Sequence, residues 1–225
     1  MEILERSKKE KASKYVKRVL YQNISTMQLL PGTRLEEAEL CEKLGMSRTP
    51  IREAILELAQ IKMVDIHPQK GIFISLLDKS IIEQGQFLRM MLEPRLAELA
   101  CDVKDEEFLR KEQECIVLLD YYRDKGPDIS RALELDNEFH RRFYTINGKD
   151  FLYEMMRNMT THLDRMRRLC MMSQDLKTTI DDHQAVLKAV AENKPVIARA
   201  TMEDHLKGTL RDMKRVETEY PQYFR

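Results

Sequence analysis

Four side chains with metal-ligand chemistry stand out in the second half of this 225-residue chain. Asp136 and His140 lie four apart in ALELDNEFHRRFY, a stretch of helical periodicity, so both project from one helix face. His183 opens the apolar face of a second predicted helix (DDHQAVLKAV), and His205 lies in a third (ATMEDHLKG). Three imidazoles and a carboxylate on three helices can converge inside a bundle. That donor set suits a borderline divalent ion: Zn²⁺, with Ni²⁺ or Mn²⁺ as alternatives. Spacing does not decide the matter, because an i,i+4 Asp–His pair is also the pattern of a surface or capping contact. With an ion in place, an open coordination position would serve either an effector or catalysis on a metal-bound water. No further Glu or Asp is marked out by spacing as a general base. A purely structural ion is the third possibility.

A different chemistry is written between Pro31 and Ser75. After a Pro-Gly turn, Leu35, Leu40 and Leu44 recur at helical spacing until Gly45-Met46-Ser47. A second helix is expected at once, with Thr49 as its cap and Pro50 at its first position. Ile51, Ile55 and Leu58 form its apolar stripe, leaving Arg48 and Arg52 off that stripe. Val64–His67 and Ile72–Ser75 then alternate apolar and polar residues around Pro68-Gln69-Lys70-Gly71, a turn with a cation at its tip. A helix-turn-helix followed by such a hairpin is a winged helix. Its candidate DNA contacts are Arg34, Arg48, Thr49, Arg52, Gln69, Lys70 and Gly71.

Both halves resemble known families. Pro31-Gly32, Leu35, the run Ser47-Arg48-Thr49-Pro50-Ile51-Arg52-Glu53-Ala54-Ile55 and Gly71 resemble the DNA-binding domain of GntR-type bacterial transcription regulators. Ala38 stands where many members carry a DNA-contacting Arg, and Lys62 stands where a Gly usually ends the recognition helix. Residues from about 79 to 215 resemble the FCD effector domain of the FadR-type members. Asp136, His140, His183 and His205 match that domain's metal ligands residue by residue. Arg89, in FLRMMLEPRLAELA, matches an Arg that faces the metal, and Asn147 matches an Asn after the Asp/His helix, where it reads as a helix terminator. The resemblance implies a ligand-responsive regulator rather than an enzyme. It implies a repressor that binds an inverted repeat in double-stranded DNA as a homodimer. A small organic acid would chelate the metal, with Arg89 as its second anchor.

The elements that must position these residues follow from the rest of the chain. We expect a mainly α protein: a winged helix-turn-helix domain over 1–75 and an all-α domain of about six helices over 76–225. Those helices read as roughly 79–101, 105–125, 129–146, 150–172, 178–193 and 195–217, punctuated by Gly126-Pro127, Asn147-Gly148 and Asn193-Lys194-Pro195. Residues 1–18 hold seven cations and three anions, and their early part reads as a frayed basic arm. Net charge is zero, yet residues 1–75 hold 13 Lys/Arg against 10 Asp/Glu, which removes an objection to nucleic acid. There is neither an apolar run long enough for a membrane span nor an N-terminal signal core, so the expected location is cytoplasmic. The four cysteines lack metal or disulfide spacing and read as reduced thiols. Arg165, Arg167 and Arg168 read as a solvated or ion-paired face, or else as the lining of an anion pocket. His162 reads as an ordinary, partly buried histidine, and His67 as an exposed or DNA-facing residue of a wing strand.

Overall fold

Apolar residues at helical spacing build the first unit. The computed structural model describes residues 1–124, 128–173 and 176–225. Helix α1 (Ala12–Ser25) buries Tyr15, Val16, Val19, Leu20 and Ile24 along one face. Helix α2 (Glu37–Leu44) adds Leu40 and Leu44, and α3 (Arg48–Gln60) adds Ile51, Ala54, Ile55 and Leu58. These side chains share one core with Leu35, Met63, Val64 and Ile74. Strands β1 (Arg34–Leu35), β2 (Val64–His67) and β3 (Gly71–Ile74) form an antiparallel sheet in the order β1-β3-β2. The wing register pairs Val64 with Ile74 and His67 with Gly71. At two residues, β1 is too short to show any periodicity. The last residues, Tyr220–Arg225, belong to this same compact unit, which otherwise spans Met1–Lys79.

Three local expectations are corrected here. Helix α3 begins at Arg48 with Ser47 flanking it, so Thr49 does not cap it and Pro50 is its third residue. The first helical N–H groups have no intrahelical acceptor, so proline is tolerated there as well. At the other end, Lys62 itself takes the left-handed conformation (φ 61°) in place of glycine. Lys62 N–H donates to Ala59 O (3.1 Å) and Met63 N–H to Leu58 O (3.0 Å), closing the helix in a Schellman arrangement over the buried Met63. The basic arm is tied down rather than frayed. Asn23 bonds the Glu2 backbone both ways (2.6 and 2.8 Å), and Arg18 donates to Glu10 and to Glu5 O.

In the second unit, Ser80–Glu219, helices are the regular elements among the described residues. It comprises α4 (Lys79–Ala100), α5 (Glu106–Asp124), α6 (Ile129–Ile146), α7 (Asp150–Met159), α8 (Thr161–Ser173), α9 (Lys177–Ala191) and α10 (Pro195–Glu219). Helix α5 packs on α6 and α9, α9 on α10, and α8 on α6 and α10. Gly126-Pro127 lies outside the described residues. The stretch 150–172 is two helices, not one, because the chain leaves helical geometry at the buried Thr160 (φ −100°, ψ 10°). Gly85 of α4 lies against that break, where an added Cβ would meet Met159 O at 3.3 Å. The break frees α8 to take its own direction, and it is buried from Thr161 through Met171. Arg165, Arg167 and Arg168 are therefore interior, contrary to a solvated face, and His162 is fully buried. All four cysteines are free thiols, three of them buried. Among the described residues no helix is long and apolar enough to cross a membrane.

Candidate DNA interface and metal centre

Turn geometry sets the candidate DNA surface. Arg48, Thr49 and Arg52 are exposed on the N-terminal half of α3, and Gln69 and Lys70 are exposed at the wing tip. Gln69 (φ 63°) and Gly71 (φ 119°) make the tight turn into β3. The guanidinium of Arg34 lies against Gly71, where a Cβ would meet its Nε at 3.0 Å, and it pairs with Glu36 at 3.0 Å. Arg34 and the wing turn are thus brought together by the β1–β3 pairing. Arg52 donates to both oxygens of Glu37 on α2 (2.9 and 3.0 Å), which fixes the guanidinium on the exposed face. His67 sits exposed on β2 with its ring edge-on to Phe73.

In the helical unit, α6 carries Asp136 and His140 on the face that also buries Ala132, Phe139 and Phe143. The helix starts where Asp128 accepts from Arg131 N–H. It ends at Asn147, as expected of a terminator, with the amide donating to Phe143 O and across to Leu96 O of α4. His183 projects from α9 and His205 from α10. One donor atom from each of Asp136, His140, His183 and His205 lies within 4.8 Å of all the others. Nε2 of His140 is 3.3 Å from Nε2 of His205 and 4.0 Å from Asp136 Oδ2, and His183 Nε2 is 3.5 Å from Asp136 Oδ1. Phe139 stacks on His183 at 3.8 Å between ring centres and fixes its plane.

Carboxylates behind the rings aim them. Glu93 Oε2 lies 2.8 Å from His140 Nδ1, and Asp182 Oδ2 lies 3.2 Å from His205 Nδ1. Both Nε2 atoms are thereby left for the centre, as in carboxylate–histidine–metal arrangements. Burial pushes His140 down to about 4 and His183 well below the usual histidine range, so both rings are neutral at pH 7 with a lone pair to give. His183 Nε2 is buried with no hydrogen-bond partner. An orphaned imidazole nitrogen facing a carboxylate and two more imidazoles fits a divalent cation.

Two guanidinium groups flank the cluster. Arg89 is 4 % exposed and donates to Glu93 through Nε (2.9 Å) and Nη2 (3.2 Å). Despite burial, Arg89 and His140 hold Glu93 well below the usual carboxylate range. Arg167 of α8 contacts Asp136 through Nη2, and through Nη1 reaches Asn137 Oδ1 (2.9 Å) and Asp164 Oδ1 (3.1 Å). Burial and the nearby Arg89 charge push Arg167 down to about 9. A cavity of about 60 Å³ opens beside the cluster, lined by both arginines, Asp136, His140 and His205, with Thr179, Thr209 and Asp212 among its other walls.

The structure thus brings Arg89 and the four ligand candidates to one place. Glu93, Asp182 and Asp164 were missed, and Arg167 lines the cavity, as the anion-pocket alternative for the three arginines had it. The i,i+4 spacing of Arg89 and Glu93 could have flagged that pair. No sequence signal links Arg167 to Asp136, because the contact depends on the break at Thr160 and the resulting course of α8.

Comparison with known proteins fits this geometry. The family described as "Bacterial regulatory proteins, gntR family" matches residues 12–74, and the FCD domain matches residues 86–208. An HTH-type transcriptional regulator from an unstable DNA locus of Streptomyces ambofaciens is 29% identical over 206 residues, covering 91% of this chain and 86% of that protein. The HTH-type transcriptional repressor RspR of Escherichia coli K12 is 24% identical, covering 92% and 91%. The solved structure of E. coli McbR/YncC shares the fold, with a TM-score of 0.77 at 22% identity over 92% of this chain and 98% of that one. These relatives are regulators, not enzymes. A gntR-type DNA-binding domain followed by an FCD domain defines the FadR-type branch of the family, and the chain belongs to it as a DNA-binding transcription regulator.

Proposed function

We propose that the chain is a cytoplasmic repressor that binds an inverted-repeat operator as a homodimer and answers to a small organic acid held at a divalent metal. In the DNA-binding unit, Arg48, Thr49 and Arg52 read base edges in the major groove. Arg34, Gln69, Lys70 and the Gly71 backbone follow the phosphates or the minor groove. Two copies of a winged helix match the two half-sites of an inverted repeat. The printed name of the relative RspR supports the sign of regulation.

Asp136, His140, His183 and His205 hold the metal, Zn²⁺ first, with Ni²⁺ or Mn²⁺ as alternatives. Bound there, the ion would supply Lewis-acid positions for a carboxylate oxygen. Glu93 takes Nε and Nη2 of Arg89, which leaves Nη1 as the donor this side chain offers to the acid. The single observation that carries the reading is the convergence of one carboxylate and three imidazoles beside a cavity walled by buried guanidinium groups. A purely structural ion would need no cationic cavity at its side.

The acid must favour one arrangement of the dimer, since a ligand with equal affinity for both states shifts nothing. The test is calorimetry on a panel of hydroxy, keto, sugar and amino acids, with and without chelator, alongside operator binding. An acid whose binding disappears with the metal and changes operator affinity supports the reading. Tight binding of a neutral ligand to chelator-stripped protein contradicts it.

A further inference from the structure

Arg167 touches the metal cluster from outside the ligand set. It is 7 % exposed, and it lines both the cavity beside the cluster and a smaller one behind it, where Arg89, Glu93, Asn137 and Asp164 are also found. Its counter-charges are divided. Asp164 gives one oxygen to Arg157 Nη1 at 2.6 Å and the other to Arg167 Nη1 at 3.1 Å. Asn137 is neutral. The remaining counter-charge, on Nη2, is Asp136. That same carboxylate faces His183 through Oδ1 and His140 through Oδ2. Arg89 differs, since Glu93 serves it through two bonds.

We propose that Arg167 is a second anion anchor beside Arg89, and that it exchanges Asp136 for the carboxylate of the bound acid. This rests on the metal-and-acid reading above and adds a coupling between the two ligands. While Arg167 holds Asp136, it competes with a cation for that carboxylate. Once Asp136 serves as a metal ligand, its charge is shared and the buried guanidinium lacks a full partner, which is a costly state. An incoming carboxylate restores the partner in the planar, two-donor geometry that guanidinium favours. Arg167 keeps Nη1 on Asn137 and Asp164, so the exchange needs only a small rotation of the fork. Acid and metal therefore strengthen each other, and by linkage each raises the other's affinity by the same factor.

A plain supporting role for Arg167, holding Asp136 in place, predicts the opposite sign in one measurement. The experiment is calorimetric titration of the full chain with Ni²⁺, alone and with saturating L-lactate as the probe acid. It compares wild type with Arg167→Gln and Arg167→Lys, each checked for native helicity by circular dichroism. The account expects lactate to raise Ni²⁺ affinity about fivefold or more in wild type. In Arg167→Gln it expects Ni²⁺ affinity equal to or above wild type, with lactate changing it less than about twofold. Lysine is a point charge without the rigid planar fork of a guanidinium, so Arg167→Lys should also fall below about twofold coupling. If the glutamine variant does not fold, the lysine variant decides alone. Weaker Ni²⁺ binding in Arg167→Gln with lactate coupling intact overturns the proposal and leaves Arg167 a prop. Absence of Ni²⁺ binding in wild type overturns the metal reading itself, which is a separate outcome.

Discussion

Glu93 is the hinge of the site's electrostatics, and replacing it with glutamine separates its roles. The carboxylate is fully buried and touches Arg89 at 2.9 and 3.2 Å and His140 Nδ1 at 2.8 Å. Glutamine keeps the shape and one acceptor oxygen but removes the charge, leaving Arg89 buried without its partner. Breaking a buried ion pair from one side costs roughly 3–5 kcal/mol. The retained acceptor places Glu93→Gln near the lower end, about 3 kcal/mol. The same change removes the anion that orients His140, and loss of such an outer partner lowers metal affinity by about 10- to 100-fold. Denaturant unfolding followed by circular dichroism reads the first effect, and calorimetric metal titration reads the second. The paired variant Arg89→Met/Glu93→Leu removes both charges and should recover most of the stability while still binding metal weakly. Stability within about 0.5 kcal/mol of wild type together with unchanged metal affinity for Glu93→Gln would refute the reasoning.

Other expectations are direct. Arg52→Ala should weaken operator binding roughly 5- to 150-fold and relax its sequence preference in gel-shift titrations, whereas Lys70→Ala should weaken all sequences evenly and reduce the salt slope by about 1. Lys62→Gly should raise thermal stability of the winged helix by up to about 1 kcal/mol, because glycine takes the left-handed φ of 61° without the Cβ strain. Burial raises the Glu112 carboxyl to about 8 despite Arg142 at 2.9 Å. The folded state thus holds a proton that the unfolded chain releases near its ordinary value, and stability should fall as pH rises from about 4.5 to 8. Glu112→Gln should flatten that slope in melting curves measured across the same window.

Much of this was legible in the residues, for physical reasons that also mark where legibility stopped. The helix-turn-helix and wing declare themselves through Leu40, Leu44, Ile51, Ile55 and the alternation after Val64, because local periodicity alone specifies them. The ligand candidates could be named because Asp136 and His140 share one helix face and because all four residues match the metal ligands of the FCD domain. What joins them is nonlocal. Glu93 reaches His140 across 47 positions of chain, and Asp182, the residue before His183, orients His205 instead. The break at Thr160 carries no glycine or proline signal, and without it the sequence cannot choose between an outer face and a pocket lining for the three arginines of α8. Burial of Arg167 and Arg168 is legible only once Asp136, Asn137, Asp164 and Ser130 are seen to meet them.

The central claim is that Asp136, His140, His183 and His205 hold a divalent ion, and elemental analysis of protein purified without chelator tests it most directly. The account predicts about one transition-metal ion per chain in wild type, largely lost in His183→Ala and retained in His162→Ala, with the melting temperature of His183→Ala lowered in step. Equal metal content across the three proteins would contradict it.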